Sequence, residues 1–400
     1  MAFELGSSRT TRGSVFCRVA LHRVLRRSLR VMALSLAWLG GPGAASAGQT
    51  SNPATVLRGG EELFRGGCAA CHGAGGVGMP EPTIGFTKPA TFPDFTQCDQ
   101  TTPELQADWW SVIHEGGPAR GFSPIMPAFG DLLTSPQIDA LVKYLRTLCS
   151  DRHWPLGELN LPRPLNTEKA FPEDETVYTV SMSAQRVHDA MSVLAYEHRF
   201  GVRNQLEVAV PLSIMHDAAG TALAGIGDIG VGVKRALVAN ARTGTIASVQ
   251  GGIHLPTGNK ARGLGTGVSV FELFGAFGQL LPSESFVQAQ LGTDLPVDTA
   301  DTPRAVFGRL AVGKSLRGGH SFGRLWTPMI ELLSNRDLQH GAPTDLDLVP
   351  QMQVTLSARQ HVRASAGLQL PVNHTEGRPM QVSFYLLWDW FDGGFLEGWK

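Results

Sequence analysis

Two cysteines and a histidine form the group of residues most clearly able to do chemistry. They lie in the run Cys68-Ala69-Ala70-Cys71-His72, which has the C-x-x-C-H spacing of covalent haem attachment. Thiols one helical turn apart can add to the two vinyl groups of a haem, and the next residue then presents an imidazole to the iron. The rival interpretations are a redox pair, a disulfide or half of a zinc site, and no second C-x-x-C completes that zinc site. The spacing predicts one covalently attached haem c, held by Cys68 and Cys71, with His72 as an iron ligand.

A methionine later in the chain is the candidate for the second axial ligand. Met126 precedes a proline in a loop, and methionine ligation raises the reduction potential because it favours ferrous iron. Met79 follows His72 too closely to be preferred, and His114 would give a bis-histidine site of lower potential. The remaining interpretation is that Met126 only packs in its loop.

The segment from Gly48 to Ser150 resembles a class I cytochrome c. The resemblance rests on the C-x-x-C-H motif, the later Met-Pro loop and a helix at the end of the segment. It implies an all-α haem domain in which Met126 ligates the iron. In that family the first and last helices cross at a small residue and aromatics, and Gly60, Phe64 and Tyr144 match that arrangement.

Helices must hold this site in place. Ser135 and Pro136 can begin a helix whose apolar residues recur at helical spacing as far as Leu148. A further helix is predicted from Pro103 to His114, with two tryptophans that pack the haem pocket. The loop after it carries Arg120, a candidate partner for a haem propionate.

The N-terminal residues 1–47 have the pattern of an export signal. Arginines precede an apolar stretch, and small residues ending in Ala45-Ser46-Ala47 follow it. An amphipathic surface helix is the rival interpretation. Cleavage after Ala47 removes seven arginines and one glutamate and changes the net charge from −1 to −7. A mildly acidic exported protein is not expected to bind nucleic acid.

Cys98 and Cys149 remain once Cys17 of the signal and the two haem cysteines are set aside. An oxidising compartment favours a disulfide between them. Two free buried thiols are the alternative.

The pattern changes after residue 150. Residues 151–174 are rich in proline and charge without a sustained period, which predicts a linker that is available as a partial plug. From residue 175 to residue 400, about twelve segments alternate between apolar and polar residues. Their lengths of roughly 9–13 residues match tilted strands that cross a bilayer.

Two architectures explain such strands. A soluble β domain buries the apolar face, whereas an outer-membrane barrel turns that face to lipid and keeps a polar lumen. The even count, the glutamines on the second face and the aromatic end Trp388-Asp389-Trp390-Phe391 favour the barrel. The expected fold is therefore multi-domain: an all-α cytochrome domain over 48–150, then an antiparallel barrel of about twelve strands over 175–400.

The second part of the chain carries two further resemblances. Short motifs, of which Leu255-Pro256-Thr257-Gly258 is one, look like outer-membrane barrels of aromatic-degradation pathways, and this implies passage of a small hydrophobic solute. The layout as a whole is similar to fused cytochrome-porins that oxidise iron at the cell surface.

The size of the haem domain predicts where it lies. A domain of about 100 residues has a radius of gyration near 13 Å, which is too bulky for the lumen of a twelve-stranded barrel. In a barrel with an even number of strands, the first strand begins and the last strand ends on the periplasmic side. We therefore expect the haem domain at the periplasmic mouth.

Three functions are consistent with the sequence. The favoured one is an outer-membrane cytochrome whose haem, ligated by His72 and Met126, exchanges one electron with a periplasmic redox partner. In this interpretation, electron transfer can be coupled to the passage of a small solute through the barrel. The second is a redox conduit or oxidase that acts on an extracellular donor. The third is a soluble periplasmic carrier with an accessory β domain. An electron-transfer protein is favoured over an enzyme with its own substrate, which the oxidase alternative leaves open.

Overall fold

The computed structural model describes residues 59–89, 91–184, 190–216, 222–316 and 325–390. These residues belong to one compact unit, Pro53–Lys400. The predicted export signal, residues 1–47, lies outside the described residues. In the part of the chain that is described, no helix is long and apolar enough to cross a bilayer.

The first part of the described chain is helical. Helix α1 covers residues 59–72 and ends at the haem motif; its middle turn, Phe64–Cys68, is a π-helix and its last turn, Ala69–His72, is α-helical. Four further helices follow: α2 (Glu81–Ile84), α3 (Cys98–Thr101), α4 (Gln106–Glu115) and α5 (Ser135–Leu148). A 3-10 turn covers Gly117–Arg120.

Two helix starts differ from the sequence prediction. Helix α4 begins at Gln106 rather than Pro103, and the carbonyl of Thr102 instead accepts the Gly157 N–H at 2.7 Å. Thr134, not Ser135, caps helix α5, and its N–H donates to Oε1 of Gln137 at 2.8 Å.

Helices α1 and α5 cross at a glycine, as the resemblance to class I cytochromes implies. A Cβ atom at Gly60 would lie 2.2 Å from the Ala140 carbonyl oxygen. The rings of Phe64 and Tyr144 lie 5.5 Å apart at the same crossing. Only glycine permits this approach, which brings the haem motif against α5.

The second part of the chain forms antiparallel strands. Their bounds are β1 Glu175–Ser183, β2 Ala190–Phe200, β3 Asn204–His216, β4 Ala222–Ile226, β5 Ile229–Asn240, β6 Thr245–Leu255, β7 Val270–Leu281, β8 Ser285–Pro296, β9 Ala305–Lys314, β10 Trp326–Asp337, β11 Asp345–Thr355, β12 Val362–Pro371 and β13 Gln381–Asp389.

These strands close into a twelve-stranded barrel. Apart from β4 and β5, which do not pair with each other, each strand pairs with its neighbour in sequence, and β1 also pairs with β13, which closes the ring. Strands β4 and β5 both pair with β3, at opposite ends, so they are two halves of one barrel strand. The predicted count of about twelve strands is confirmed.

The two faces of the barrel show which solvent it is built for. On the outer face large apolar side chains are exposed, for example Leu291 at 72% and Leu273 at 56%. On the inner face polar side chains are buried, and Glu197 and Lys234 are both at 0% exposure. A soluble sandwich has the opposite arrangement, so the soluble β domain is wrong. The barrel is of the outer-membrane type.

The end of the barrel where β1 begins has mostly short connections. Three residues join β2 to β3 and three join β7 to β8, whereas fourteen join β6 to β7 at the other end. A longer connection between β9 and β10 is the exception at the β1 end. Short turns mark the periplasmic end in outer-membrane barrels.

Residues 157–174 fill the lumen, and we call this segment the plug. It lies within the predicted linker, and its hydrogen bonds go to inward-facing side chains on well-separated strands. Gln288 of β8 donates to the Pro162 carbonyl at 2.7 Å, and Gln351 of β11 accepts the Leu165 N–H at 3.0 Å. Gln205 of β3 accepts the Glu173 N–H at 2.7 Å. The plug therefore spans the lumen rather than lying along one wall.

Charged side chains also hold the plug. Nη1 of Arg163 lies 2.8 Å from Glu175 and 2.7 Å from Glu197. Nζ of Lys169 pairs with Glu173 and, at 3.0 Å, with Glu175. Two cations, Arg163 and Lys169, thus lie among three carboxylates, and this attraction partly offsets the cost of removing the charges from water.

Candidate functional site: a haem cavity at the mouth of the barrel

The haem motif opens onto a cavity of about 270 Å³ in the helical domain. Cys68, Cys71, His72 and Met126 all line it, so the structure brings together the four residues predicted from the sequence. Apolar side chains form most of the remaining wall, among them Phe64, Phe92, Phe95, Trp109, Val112, Ile113, Phe129, Leu141 and Leu145. Such a wall suits a flat, largely apolar macrocycle.

His72 is held by two aromatic rings. Its imidazole stacks on Phe92 with ring centroids 4.9 Å apart and packs against Phe95 at 5.0 Å. Burial lowers the pKa of His72 to about 4, so the ring is neutral at physiological pH. A neutral imidazole is the form that ligates a metal.

Within the described residues, Cys68 and Cys71 are both free thiols. The π-helical turn before them ends at Cys68, and one α-helical turn then carries Cys71 and His72. Burial, with a smaller contribution from the neighbouring Cys71, raises the pKa of the Cys68 thiol to about 11. Both sulfurs remain available for thioether bonds.

Met126 lies at the end of a compact loop, residues 117–126, which we call the methionine loop. Its carbonyl accepts the Gly117 N–H at 3.0 Å, which closes the loop on itself. A Cβ atom at Gly117 would lie 2.3 Å from the Ser123 carbonyl oxygen, so this closure requires glycine.

The competing ligands lie elsewhere. Neither Met79 nor His114 belongs to the described residues that line the cavity. The His114 ring stacks on Trp110 with centroids 4.5 Å apart. Of the two tryptophans of α4, Trp109 is the one in the cavity wall.

Arg120 is buried in the cavity wall and already has protein partners. Its Nη1 lies 2.7 Å from Oδ1 of Asp108, and its Nη2 donates to the carbonyl of Arg359 in the barrel. The exposed fraction of Arg120 is 1%. Its guanidinium thus ties α4 to the barrel, a role that the sequence did not suggest.

Cys98 and Cys149 form a disulfide. It joins the start of α3 to the residue after α5. The bridge expected from an oxidising compartment is therefore present.

A haem fits these residues. Nδ1 of His72 is buried without a hydrogen-bond partner among the described residues, and the ring borders the cavity together with two unbridged thiols and a thioether. Imidazole, thioether and paired thiols are the donor set of a c-type haem. The packing role of Phe92 and Phe95 was missed from the sequence, since isolated aromatics carry no periodic signal.

A comparison with protein families matches one part of the chain. Residues 55–145 match the family model of the cytochrome c oxidase, cbb3-type, subunit III. No curated protein matches the chain.

Some solved structures resemble the chain over a little more than half of its length. An outer membrane channel from Pseudomonas putida F1 is 13% identical with a TM-score of 0.41, over 57% of this chain and 99% of that one. The NanC porin is 7% identical with a TM-score of 0.37, over 54% and 98%. The KdgM porin is 10% identical with a TM-score of 0.35, over 54% and 99%.

The match of residues 55–145, the cavity and the lipid-facing exterior of the barrel are independent observations. Together they show a cytochrome c domain, which implies haem, fused to a closed antiparallel twelve-stranded barrel of the outer-membrane type.

Proposed function

We propose that this protein is an outer-membrane monohaem c-type cytochrome that transfers one electron at a time. The observation that carries the proposal is the cavity in which Cys68, Cys71, His72 and Met126 meet. A haem c bound there would supply a one-electron couple, and His72 and Met126 would hold its iron.

The protein residues bind, orient and shield the group. Cys68 and Cys71 attach it, and the rings of Phe92 and Phe95 fix the plane of the His72 imidazole. The apolar wall excludes water and so favours the less charged, ferrous state. Methionine ligation acts in the same direction.

The haem domain lies at the end of the barrel where β1 begins. Nε of Arg203, in the turn between β2 and β3, donates to the His153 carbonyl at 3.0 Å, just after the haem domain. Short turns at this end favour the periplasmic side. We therefore propose a periplasmic redox protein as the partner, with outer-membrane lipid around the barrel.

A conduit across the membrane is less well supported. The sequence contains one C-x-x-C-H motif, and the apolar band of such a barrel is about 25 Å tall. A single electron step over that distance is too slow to be useful. Electron exchange on the side of the haem domain needs no second cofactor.

Passage of a small hydrophobic solute depends on the plug. Hydrogen bonds from β3, β8 and β11 hold the plug across the lumen. A solute crosses only when this segment is displaced. In the conformation described, we propose that the barrel anchors the haem domain rather than conducts.

Substitution of the proposed ligand tests the function. Met126→Ala in the haem-loaded full chain is expected to abolish the methionine-to-iron absorption of the ferric protein and to lower the reduction potential. Met79→Ala is the matched control, because Met79 lies outside the cavity wall. An unchanged spectrum in Met126→Ala would eliminate Met126 as a ligand.

The attachment is tested separately. The double variant Cys68→Ser with Cys71→Ser is expected to lose all haem stain on a denaturing gel, since no thioether bond can form. Haem stain that survives denaturation in this variant would overturn covalent attachment through these two cysteines.

A further inference from the structure

One turn of the barrel reaches the methionine loop of the haem domain. It connects β11 to β12 over residues 356–361. The turn is tightly bonded: the Val362 N–H donates to Oγ of Ser357 at 3.0 Å, and the Leu356 N–H donates to the Val362 carbonyl at 2.8 Å. These hydrogen bonds fix the backbone of the turn that carries Arg359, and the Arg359 side chain is buried, with 3% exposed.

Arg359 makes three contacts with the loop. Its Nη2 donates to the Gly121 carbonyl at 3.3 Å, and its guanidinium lies 4.6 Å from the centroid of the Phe122 ring. In return, its own carbonyl accepts a hydrogen bond from Arg120. The side chain of each arginine thus bonds to the backbone at or beside the other, across the boundary between the haem domain and the barrel.

The contacts of Arg359 are connected to Met126 through the backbone of the methionine loop. The Phe122 N–H donates to the Gly117 carbonyl at 2.9 Å, and the Gly117 N–H donates to the Met126 carbonyl at 3.0 Å. Phe122 also lines the cavity. A shift at residues 121–122 is therefore passed through Gly117 to Met126.

We infer that Arg359 is a positioning residue for the haem, through which the barrel sets where Met126 lies. The inference rests on the proposed function, because it assumes that Met126 ligates the iron. It gives the barrel a role in electron transfer beyond anchoring: the turn 356–361 tunes the reduction potential by holding the methionine loop.

The test uses the haem-loaded full chain in detergent and compares Arg359→Gln with Arg203→Gln. Arg203 is the matched control, because it lies at the same end of the barrel and donates to the His153 carbonyl, outside the methionine loop. Arg359→Gln is expected to weaken the ferric methionine band. It is also expected to lower the ratio of ferrous to ferric haem at a fixed ambient potential about tenfold, which for one electron is about 59 mV.

Arg203→Gln is expected to match the wild type in both measurements. An Arg359→Gln protein that is indistinguishable from Arg203→Gln overturns the inference. If Arg359→Gln does not accumulate, Ser357→Ala loosens the same turn without touching the haem domain, and an unchanged potential in that variant overturns the inference equally.

The Met126→Ala variant separates the two failures. If Met126→Ala keeps the methionine band, the proposed ligation is wrong and the inference falls with it. If Met126→Ala loses the band while Arg359→Gln keeps the wild-type band and potential, only the positioning role of Arg359 is wrong.

Discussion

Removal of the Glu331 carboxylate is expected to favour displacement of the plug from the lumen. Glu331 lies on β10, is at 0% exposure and accepts three hydrogen bonds from backbone and hydroxyl groups of the plug. The donors are the Asn166 N–H at 3.1 Å, the Thr167 N–H at 2.8 Å and the Thr167 hydroxyl at 2.7 Å. Gln351 also donates to it from the next strand. Glu331 thus contacts two consecutive residues of the plug, Asn166 and Thr167.

The size of the effect follows from those bonds. A hydrogen bond to a charged group contributes roughly 1.5–3 kcal/mol net. We take three such bonds at the low end of this range and reduce the sum, because water reaches the donors once the plug shifts. Glu331→Ala should therefore lower the free energy needed to displace the plug by about 3 kcal/mol. Since each 1.4 kcal/mol is a factor of ten, the displaced population should rise by about a hundredfold.

Conductance in planar lipid bilayers measures this population. The wild-type chain is expected to show rare openings, and Glu331→Ala is expected to show frequent ones. Asp347→Ala is the matched control: Asp347 is also a buried carboxylate of the inner wall, but its bonds go to Gln369 and Arg378 rather than to the plug. Equal, steady conductance in the wild type and Glu331→Ala would refute the plug as the element that closes the barrel.

Three further substitutions test the fold. Gly60→Ala is expected to reduce the yield of haem-loaded protein, because its Cβ would lie 2.2 Å from a carbonyl oxygen of α5, whereas Gly59→Ala meets nothing within 4 Å and is expected to be tolerated. Cys98→Ser with Cys149→Ser opens a loop of 51 residues and should cost about 4 kcal/mol, seen as a lower thermal midpoint. Leu291→Arg, on the lipid-facing side, should cost about 2–4 kcal/mol near the bilayer centre and reduce the folded fraction on an unboiled gel.

Each of these has a result that contradicts it. Equal haem loading of Gly60→Ala and Gly59→Ala would place the crossing of α1 and α5 elsewhere. An unchanged midpoint without the disulfide would mean that its loop is held by other contacts. Normal folding of Leu291→Arg would argue against lipid contact at that position.

Local signals in the sequence were sufficient to predict much of the site. The C-x-x-C-H spacing predicts Cys68, Cys71 and His72 as haem-binding residues without tertiary information, and the structure places all three in the wall of one cavity. Alternation in the strands determines which face is apolar, but not whether that face meets a core or lipid. Exposure of Leu291 and burial of Glu197 in the structure settle that choice.

The plug could not be derived in the same way. Residues 157–174 have neither a helical nor a strand period, because their conformation is determined by side chains far along the chain. Thr167 bonds to Glu331, 164 residues later. Polar residues on one face of a strand indicate a lumen, but they do not indicate which segment fills it.

The contact between Arg359 and the methionine loop is equally invisible in the sequence. Arg120 and Arg359 are 239 residues apart, and each would be assigned separately to a loop on the basis of its neighbours. Arg120 was expected to face a propionate because it lies beside the haem ligand loop. Its partners Asp108 and Arg359 emerge only when the barrel turn is placed against the haem domain.

The central claim is that one chain carries a covalent haem and a membrane barrel. Fractionation of a native host, followed by haem-stained gels of boiled and unboiled membrane extract, tests it most directly. We expect a haem band confined to the outer membrane, with a mobility that shifts on heating because a folded barrel migrates differently from an unfolded chain. A haem band in the soluble periplasm, with the same mobility before and after boiling, would contradict it.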